Sequence, residues 1–356
     1  MATHSRRKIL QTAVTTAVGS SFAPLWAVAQ YGRADLVVLG GTFHTMDPNL
    51  TNVDAMAVRG DRILALGSQQ DIRDLIGPTT RVIRADGMTV TPGFIDAHSH
   101  PLMANETVSV NVDLRRIADV QTALIQQAEK TPPGQWVQAH MYDDTKFVEG
   151  RELTRRDIDA VISNYPVMVR HRGGHTAVVN SKAFEVAGIT QTTPDPDGGR
   201  YYRDGGELTG KVAEHAMDLL EAAGDWPVIN RNAMRDNVTL ISKRMASAGL
   251  TSTTDAIGLA DNWTAYMDAL ERDAMHFRLS FMPRGNSPMY AAMKAAGIRS
   301  GFGSAMLRVG AVKYVADGSA SERTMRMSQP FEGRPNDYGI STMNQAEIDA
   351  AVDDAV

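Results

Sequence analysis

Residues 91–101 read TPGFIDAHSHP, an apolar strand that ends in two histidines, His98 and His100, with one residue between them. In an extended strand, residues i and i+2 point to the same face, so both imidazoles can bind one metal ion while Ser99 points away. Imidazole is the commonest metal-binding side chain, and barrel enzymes place their chemistry at the carboxyl ends of strands. The run therefore predicts a metal site at a strand end. A solvated or buried histidine pair without metal is the alternative.

The residues around these histidines, Pro92-Gly93-Phe94-Ile95-Asp96 before them and Pro101 after them, resemble the first barrel strand of the amidohydrolase superfamily. Within it the chain is similar to the amidohydrolase-3 group, which includes N-substituted formamide deformylases. The resemblance runs from about Ala34 to the last residue. It implies an α/β fold: a (β/α)8 barrel of the TIM type, with about the first four strands present, and a small β-sandwich-like N-terminal domain.

Composition narrows the possible functions. The chain has 356 residues, of which 43% are hydrophobic and 22% charged, enough for one large globular domain and a smaller one. Its formal net charge of -5 leaves no basic footprint for a nucleic acid, so no nucleic-acid partner is expected. Because the chain has no cysteine, disulfides, thiolate zinc sites and cysteine nucleophiles are excluded. Any metal must be held by histidine, carboxylate or modified lysine.

Residues 1–29 have the pattern of a twin-arginine signal peptide. The pair Arg6-Arg7 precedes a moderately apolar run, and Ala27-Val28-Ala29 forms a cleavage site. This predicts export by the twin-arginine (Tat) machinery, cleavage after Ala29, a periplasmic or secreted protein, and no stable membrane span after cleavage. An ordinary secretion signal with a chance arginine pair and a membrane anchor are the alternatives.

The remaining chain divides by pattern into a small β domain at residues 31–90 and a barrel at residues 91–356. Short apolar strands separated by turn signals mark the β domain, which the resemblance implies is composite and incomplete. Residues 105–225 show no barrel-like βα repeat and are interpreted as an insertion after the first barrel strand.

Beyond the insertion, helices and strands alternate in the manner of βα units. A helix is expected from a cap at Asn230 to a stop at Gly249, and strands at residues 250–255, 277–282 and 307–314. Strands and helices of these lengths indicate a parallel sheet with right-handed crossovers.

Lys313 lies in the last of these predicted strands, where a buried ammonium is costly unless it is paired or chemically changed. Residues 313–319, KYVADGS, resemble the superfamily's segment in which a lysine at the end of strand four is carboxylated and bridges two metal ions. The resemblance implies that Lys313, as a carbamate, joins His98 and His100 as a metal ligand. The cofactor is then one or two divalent ions, with zinc as the default and iron or manganese as alternatives. A lysine paired with Asp317 or another acid is the competing interpretation.

Two further residues are candidates for substrate binding through the resemblance, His175 and Asp317. His175 ends the segment PVMVRHRGGH at residues 166–175, which is similar to the segment that approaches the mouth of the family's active site. A structural histidine that holds a loop is the alternative for His175. The spacing of His140, His171 and His215 is not that of metal ligands, and they are interpreted as structural or exposed.

The predicted activity is hydrolysis of a C–N bond, of amide or formamide type, in a small-molecule substrate by a metal-activated water. The pattern departs from the superfamily in lacking the later histidines and the aspartate that serves as general base. We therefore interpret the sequence as the N-terminal part of a longer enzyme, and expect that base beyond Val356. A catalytically inactive metal-binding fragment or interaction protein derived from the family, and a barrel without metal, are the alternatives.

Overall fold

The computed structural model of the chain describes residues 32–102 and 106–355. Its contacts divide it into two compact units, with the boundary after Gly93. The signal peptide predicted at residues 1–29 lies outside the described residues and stays a prediction.

The first unit contains the strands predicted for the β domain. Its elements are β1 (Leu36–Leu39), β2 (Thr42–Phe43), β3 (Ala55–Arg59), β4 (Arg62–Gly67), α1 (Gln69–Arg73), β5 (Arg81–Arg84) and β6 (Thr89–Val90). One sheet has the order β4-β3-β1-β5, and β2 pairs with β6 separately. Ser68 and Asp71 cap α1 reciprocally, which presents Ile72 to a small core with Val37 and Ala57. A sandwich-like arrangement of the two sheets stays a prediction.

The second unit holds two larger sheets. Its strands are β7 (Phe94–Ser99), β8 (Ser109–Asn111), β9 (Val137–Tyr142), β10 (Val167–His171), β11 (Thr176–Val179), β12 (Gly199–Asp204), β13 (Glu207–Glu214), β14 (Leu250–Gly258), β15 (Arg278–Pro283) and β16 (Leu307–Val309). Its helices are α2 (Ile117–Ala128), α3 (Arg155–Asp159), α4 (Ser181–Val186), α5 (His215–Glu221), α6 (Arg231–Ser247), α7 (Ala260–Glu271), α8 (Pro288–Ala295) and α9 (Gln345–Ala355).

The first sheet of this unit is the parallel sheet that the alternating pattern predicts. Its order is β16-β15-β14-β7, and every neighbouring pair is parallel. The intervening helices pack on it through a core that includes Val238, Tyr266 and Phe281. Asn230 caps α6 by accepting a hydrogen bond from Ala233 N at 2.9 Å, and Gly249, with φ +75°, follows its end. Four parallel strands in chain order are an α/β arrangement; closure into an eight-stranded barrel stays a prediction.

The strand predicted at residues 307–314 is shorter than expected, and Lys313 lies beyond its end. The regular ladder stops at Val309, and pairing resumes only at Lys313, whose N–H donates to Pro283 O at 2.9 Å. Gly310 N donates to Phe281 O. From Gly310 to Lys313 the segment therefore advances three residues, while β15 advances two, from Phe281 to Pro283. Pro283 has no N–H to donate, and this interrupts the ladder at that point.

Residues 105–225, interpreted as an insertion without a barrel-like βα repeat, contain parallel βα units that the sequence pattern did not indicate, in a sheet separate from that of β7. These residues form a six-stranded sheet in the order β12-β13-β11-β10-β9-β8, in which β8, β9 and β10 are parallel and are connected through α2 and α3. The repeat escapes sequence analysis because β8 has three residues and α3 has five. Alternate residues of the central strands enter two cores, as Val169 and Met168 of β10 do on opposite faces. We call this the insertion sheet.

Candidate active site

The two histidines of the quoted strand lie at and just beyond the carboxyl end of β7. Their ring centroids are 5.3 Å apart and the rings are nearly perpendicular. Asp96 accepts a hydrogen bond from the backbone N–H of His98 at 3.1 Å, and the Ser99 hydroxyl pairs with that of Thr253 at 2.7 Å on the neighbouring strand. The first contact orders the end of β7 and the second holds it against β14, so two imidazoles from one strand lie side by side there.

His100 has an unmet hydrogen-bonding atom. Its Nδ1 is buried and has no partner among the described residues, a state that costs about 1–3 kcal/mol for a buried polar group. Burial lowers the pKa of His100 to about 4, and the charges of His98, Lys313 and His175 act in the same direction. The imidazole is therefore neutral at physiological pH, the form that binds metal. A bound metal cation would give Nδ1 of His100 the partner that it lacks among the described residues, so the site fits a metal.

The charge of Lys313 acts on both His100 and His175, so these residues share one neighbourhood. In the described part of the chain no carboxylate lies within ion-pair distance of its ammonium, and burial lowers the pKa of Lys313. The alternative interpretation, a salt bridge with Asp317, is therefore not found here. An unpaired, half-buried amine with a lowered pKa is the form that reacts with carbon dioxide, because the neutral amine is the nucleophile.

His175 is held by a carboxylate at the end of the insertion sheet. Its Nδ1 lies 2.9 Å from Glu214 Oε2, and this hydrogen bond raises the pKa of His175. Glu214 in turn accepts a hydrogen bond from the Thr324 hydroxyl at 2.9 Å. Glu214 has φ +52°, a strained conformation for a residue other than glycine, of the kind that clusters at functional sites. The electrostatic effect of His175 on His100 places the two in one neighbourhood.

Asp317 makes different contacts. Its Oδ2 accepts a hydrogen bond from Arg326 N at 2.9 Å, and its backbone bridges to Ser341. Among the described residues Asp317 makes no hydrogen bond or ion pair with His98, His100 or His175. The structure thus brings together four of the five predicted site residues and gives Asp317 a role in its own loop.

A second group of possible ligands lies in the insertion sheet. Asp143, Asp144 and His171 each offer one ligand atom, and these atoms lie within 4.8 Å of one another. By composition the group suits a divalent metal. Its carboxylates are already paired, however, since Asp143 Oδ2 lies 2.7 Å from Arg172 Nε and Asp144 Oδ2 lies 2.6 Å from Arg323 Nη2. A metal would have to displace these cations, so we interpret the group as an ion-pair network.

Comparison with known proteins establishes the relationship. The model of the amidohydrolase family matches residues 81–356, which include His98, His100, His175 and Lys313. The chain belongs to the amidohydrolase family. It is 32% identical to an N-substituted formamide deformylase of Arthrobacter pascens, over 71% of this chain and 48% of the relative. It is 27% identical to the putative amidohydrolase YtcJ of Bacillus subtilis (strain 168), over 85% of this chain and 57% of the relative.

The fold agrees with that of a solved structure. An uncharacterized metal-dependent hydrolase of Pyrococcus horikoshii OT3 superposes with a TM-score of 0.63 at 18% identity, covering 90% of this chain and 62% of that one. The chain spans about half the length of the curated relatives it matches, 48% and 57% in the two named above.

Sequence analysis of this amidohydrolase-family chain missed Glu214 and Glu322. Glu322 is buried, accepts a hydrogen bond from the Thr176 hydroxyl at 2.6 Å and lies 3.4 Å from His171 Nδ1, so it ties the segment after Lys313 to the insertion sheet. No spacing could reveal these pairs, since 39 residues separate His175 from Glu214. The sequence signal that could have indicated Glu214 is its position as an acid at the end of the apolar strand β13.

Proposed function

We propose that the protein is a metal-dependent hydrolase that cleaves a C–N bond, of amide or formamide type, in a small-molecule substrate. The observation that carries the proposal is the buried Nδ1 of His100, which has no hydrogen-bond partner among the residues that the structure describes, at the end of a parallel strand and beside His98. Family membership and the relatives named as an amidohydrolase and a formamide deformylase support the reaction class.

His98 and His100 would hold the ion, with Lys313 as the third ligand once its amine has added to carbon dioxide and lost a proton. That reaction replaces a cation by an anion, the charge that a divalent ion requires nearby. When bound, such an ion lowers the pKa of water from ~16 to ~7 and polarises a carbonyl oxygen. Zinc is our first expectation, since it accepts nitrogen and oxygen ligands.

His175 would contact the substrate. Glu214 binds its Nδ1 and fixes the ring orientation, and Nε2 makes no hydrogen bond within the described part of the chain. With its pKa raised by Glu214, the imidazole can donate a hydrogen bond to a substrate oxygen or hold a proton there.

The test is metal content measured by mass spectrometry on the purified chain and on His100→Ala and Lys313→Ala. We expect at least one divalent ion per chain, its loss in His100→Ala, and an intact mass that exceeds the sequence mass by one carbon dioxide in the native chain but not in Lys313→Ala. The matched control is His276→Ala, because that imidazole is exposed. It should retain the metal.

Turnover of a panel of N-substituted formamides and simple amides, measured on the longest natural form of the protein, completes the test. Loss of metal and of turnover together in His100→Ala supports the proposal. Bound metal without turnover on any amide would favour the alternative, a catalytically inactive metal-binding protein. A folded chain that binds no divalent ion would refute both.

A further inference from the structure

A second cleft opens on the insertion sheet. Its volume is ≈390 Å³, and it lies between strands β12 and β13 and the segment at residues 334–337. The residues that matter to the argument are Glu152, Arg200, Tyr202, Lys211, Arg334 and Asp337. None of them belongs to the candidate active site, and no known role accounts for the cleft.

The lining carries three cationic and two anionic side chains. Arg200 Nη1 pairs with Asp337 Oδ1 at 2.9 Å, and Lys211 Nζ pairs with Glu152 Oε1 at 2.8 Å. Arg334 is left over: its nearest carboxylate oxygens, on Asp337 and Glu152, lie at 3.8 Å and 4.0 Å. These distances are too long for hydrogen bonds, so the Arg334 guanidinium donates none within the described residues. The cleft thus has one excess positive charge with unused donors.

Tyr202 adds a neutral donor to the same cleft. Its hydroxyl is buried and has no hydrogen-bond partner among the described residues. Arg200 Cζ lies 5.5 Å and Lys211 Nζ lies 5.1 Å from the centroid of its ring, so two cations lie close to the ring. Burial raises the pKa of Tyr202 to about 12, which keeps the hydroxyl protonated and able to donate.

We infer that this cleft binds a small organic anion that carries one carboxylate, held by the Arg334 guanidinium and the Tyr202 hydroxyl. A guanidinium presents two parallel N–H groups that match the two oxygens of a carboxylate. A single negative charge balances the single excess positive charge of the lining. The volume lies near the lower end of the ~300–1,000 Å³ found for small-molecule sites, which suits a small ligand.

The experiment is isothermal titration of the full chain with sodium acetate and sodium benzoate, at constant ionic strength maintained with sodium chloride. We expect saturable 1:1 binding of at least one carboxylate. Arg334→Gln should weaken it at least about tenfold, equivalent to about 1.4 kcal/mol. Tyr202→Phe, which keeps the ring and removes only the hydroxyl, should also weaken it. Arg299→Gln is the matched control, because it removes an exposed arginine elsewhere in the same unit and should leave binding unchanged.

Two outcomes would overturn the inference. One is binding that is absent, or that is equal in the native chain, Arg334→Gln and Tyr202→Phe. The other is binding of inorganic phosphate without binding of either carboxylate, which would assign the cleft to a different class of anion. If Arg334→Gln fails to fold, as judged by circular dichroism, Tyr202→Phe alone decides. None of these readouts depends on the metal or on turnover, so the proposed function is tested separately.

Discussion

His171 should make the stability of the insertion sheet depend on pH, and His171→Asn should remove that dependence. The imidazole is buried, with Nε2 at 3.6 Å from Asp144 Oδ1 and Nδ1 at 3.4 Å from Glu322 Oε2. Burial alone would lower the pKa of His171, but the two carboxylates outweigh it and raise the pKa to about 9.

One contact opposes this charge. Gly173 N–H lies 3.2 Å from His171 Nδ1, an arrangement that favours an unprotonated nitrogen. The effect of the two carboxylates on the pKa is larger than that of the amide. A pair of unit charges about 4 Å apart interacts by about 4 kcal/mol at an effective dielectric constant of 20, whereas a single amide contributes only a dipole. The imidazolium is therefore the form expected at neutral pH.

The magnitude follows from linkage. A rise in pKa from 6.5 to about 9 corresponds to on the order of 3 kcal/mol of folding free energy. Since the folded pKa lies above the unfolded one, this stability is fully present below pH 6.5 and is lost as the pH rises through about 9. Both carboxylates stay ionised over that range, because His171 lowers the pKa of Asp144 and of Glu322.

The assay is urea unfolding of the native chain and His171→Asn between pH 5.5 and 10, followed by tryptophan fluorescence, to which Trp136 and Trp226 contribute. These indoles stack with centroids 4.4 Å apart and report on the insertion sheet. The difference in unfolding free energy between the two proteins should shrink by on the order of 3 kcal/mol as the pH rises. His276→Asn, an exposed control, should show no such change. A difference that stays constant across the range would refute the reasoning.

Two other substitutions test the packing around the sites. Asn180→Ala should destabilise the insertion sheet by about 3 kcal/mol, measured by the same unfolding assay, because several buried backbone groups would lose their hydrogen-bond partner. The Asn180 amide accepts from Val167 N and Ala183 N, both at 3.0 Å, and donates to Tyr165 O at 2.9 Å. Gly285→Ala should lower the bound metal, because its Cβ would come within 2.2 Å of the Tyr314 ring, next to Lys313. Unchanged metal content in folded Gly285→Ala would contradict this.

Much of the parallel sheet could be predicted from local pattern. The cap at Asn230 and the stop at Gly249 are encoded within a few residues of where they act, and so is the strand that follows. The pairing of His98 with His100 needs only the two-residue period of an extended chain. The insertion sheet could not be predicted, because β8 and α3 are too short to show a period.

The candidate site divides in the same way. The sequence by itself indicated the family and the parallel strands and predicted three metal ligands, His98, His100 and Lys313, because these depend on residue type and on short spacings. Only the tertiary structure decided that Glu214 holds His175 and that Arg334 and Tyr202 share a cleft. It also decided that Lys313 lies past an interrupted ladder, with no ion-paired acid among the residues that the structure describes. Each of these contacts is between residues far apart in the chain. Such contacts depend on how sheets and loops pack, which cannot be predicted from the local periodicity of the sequence.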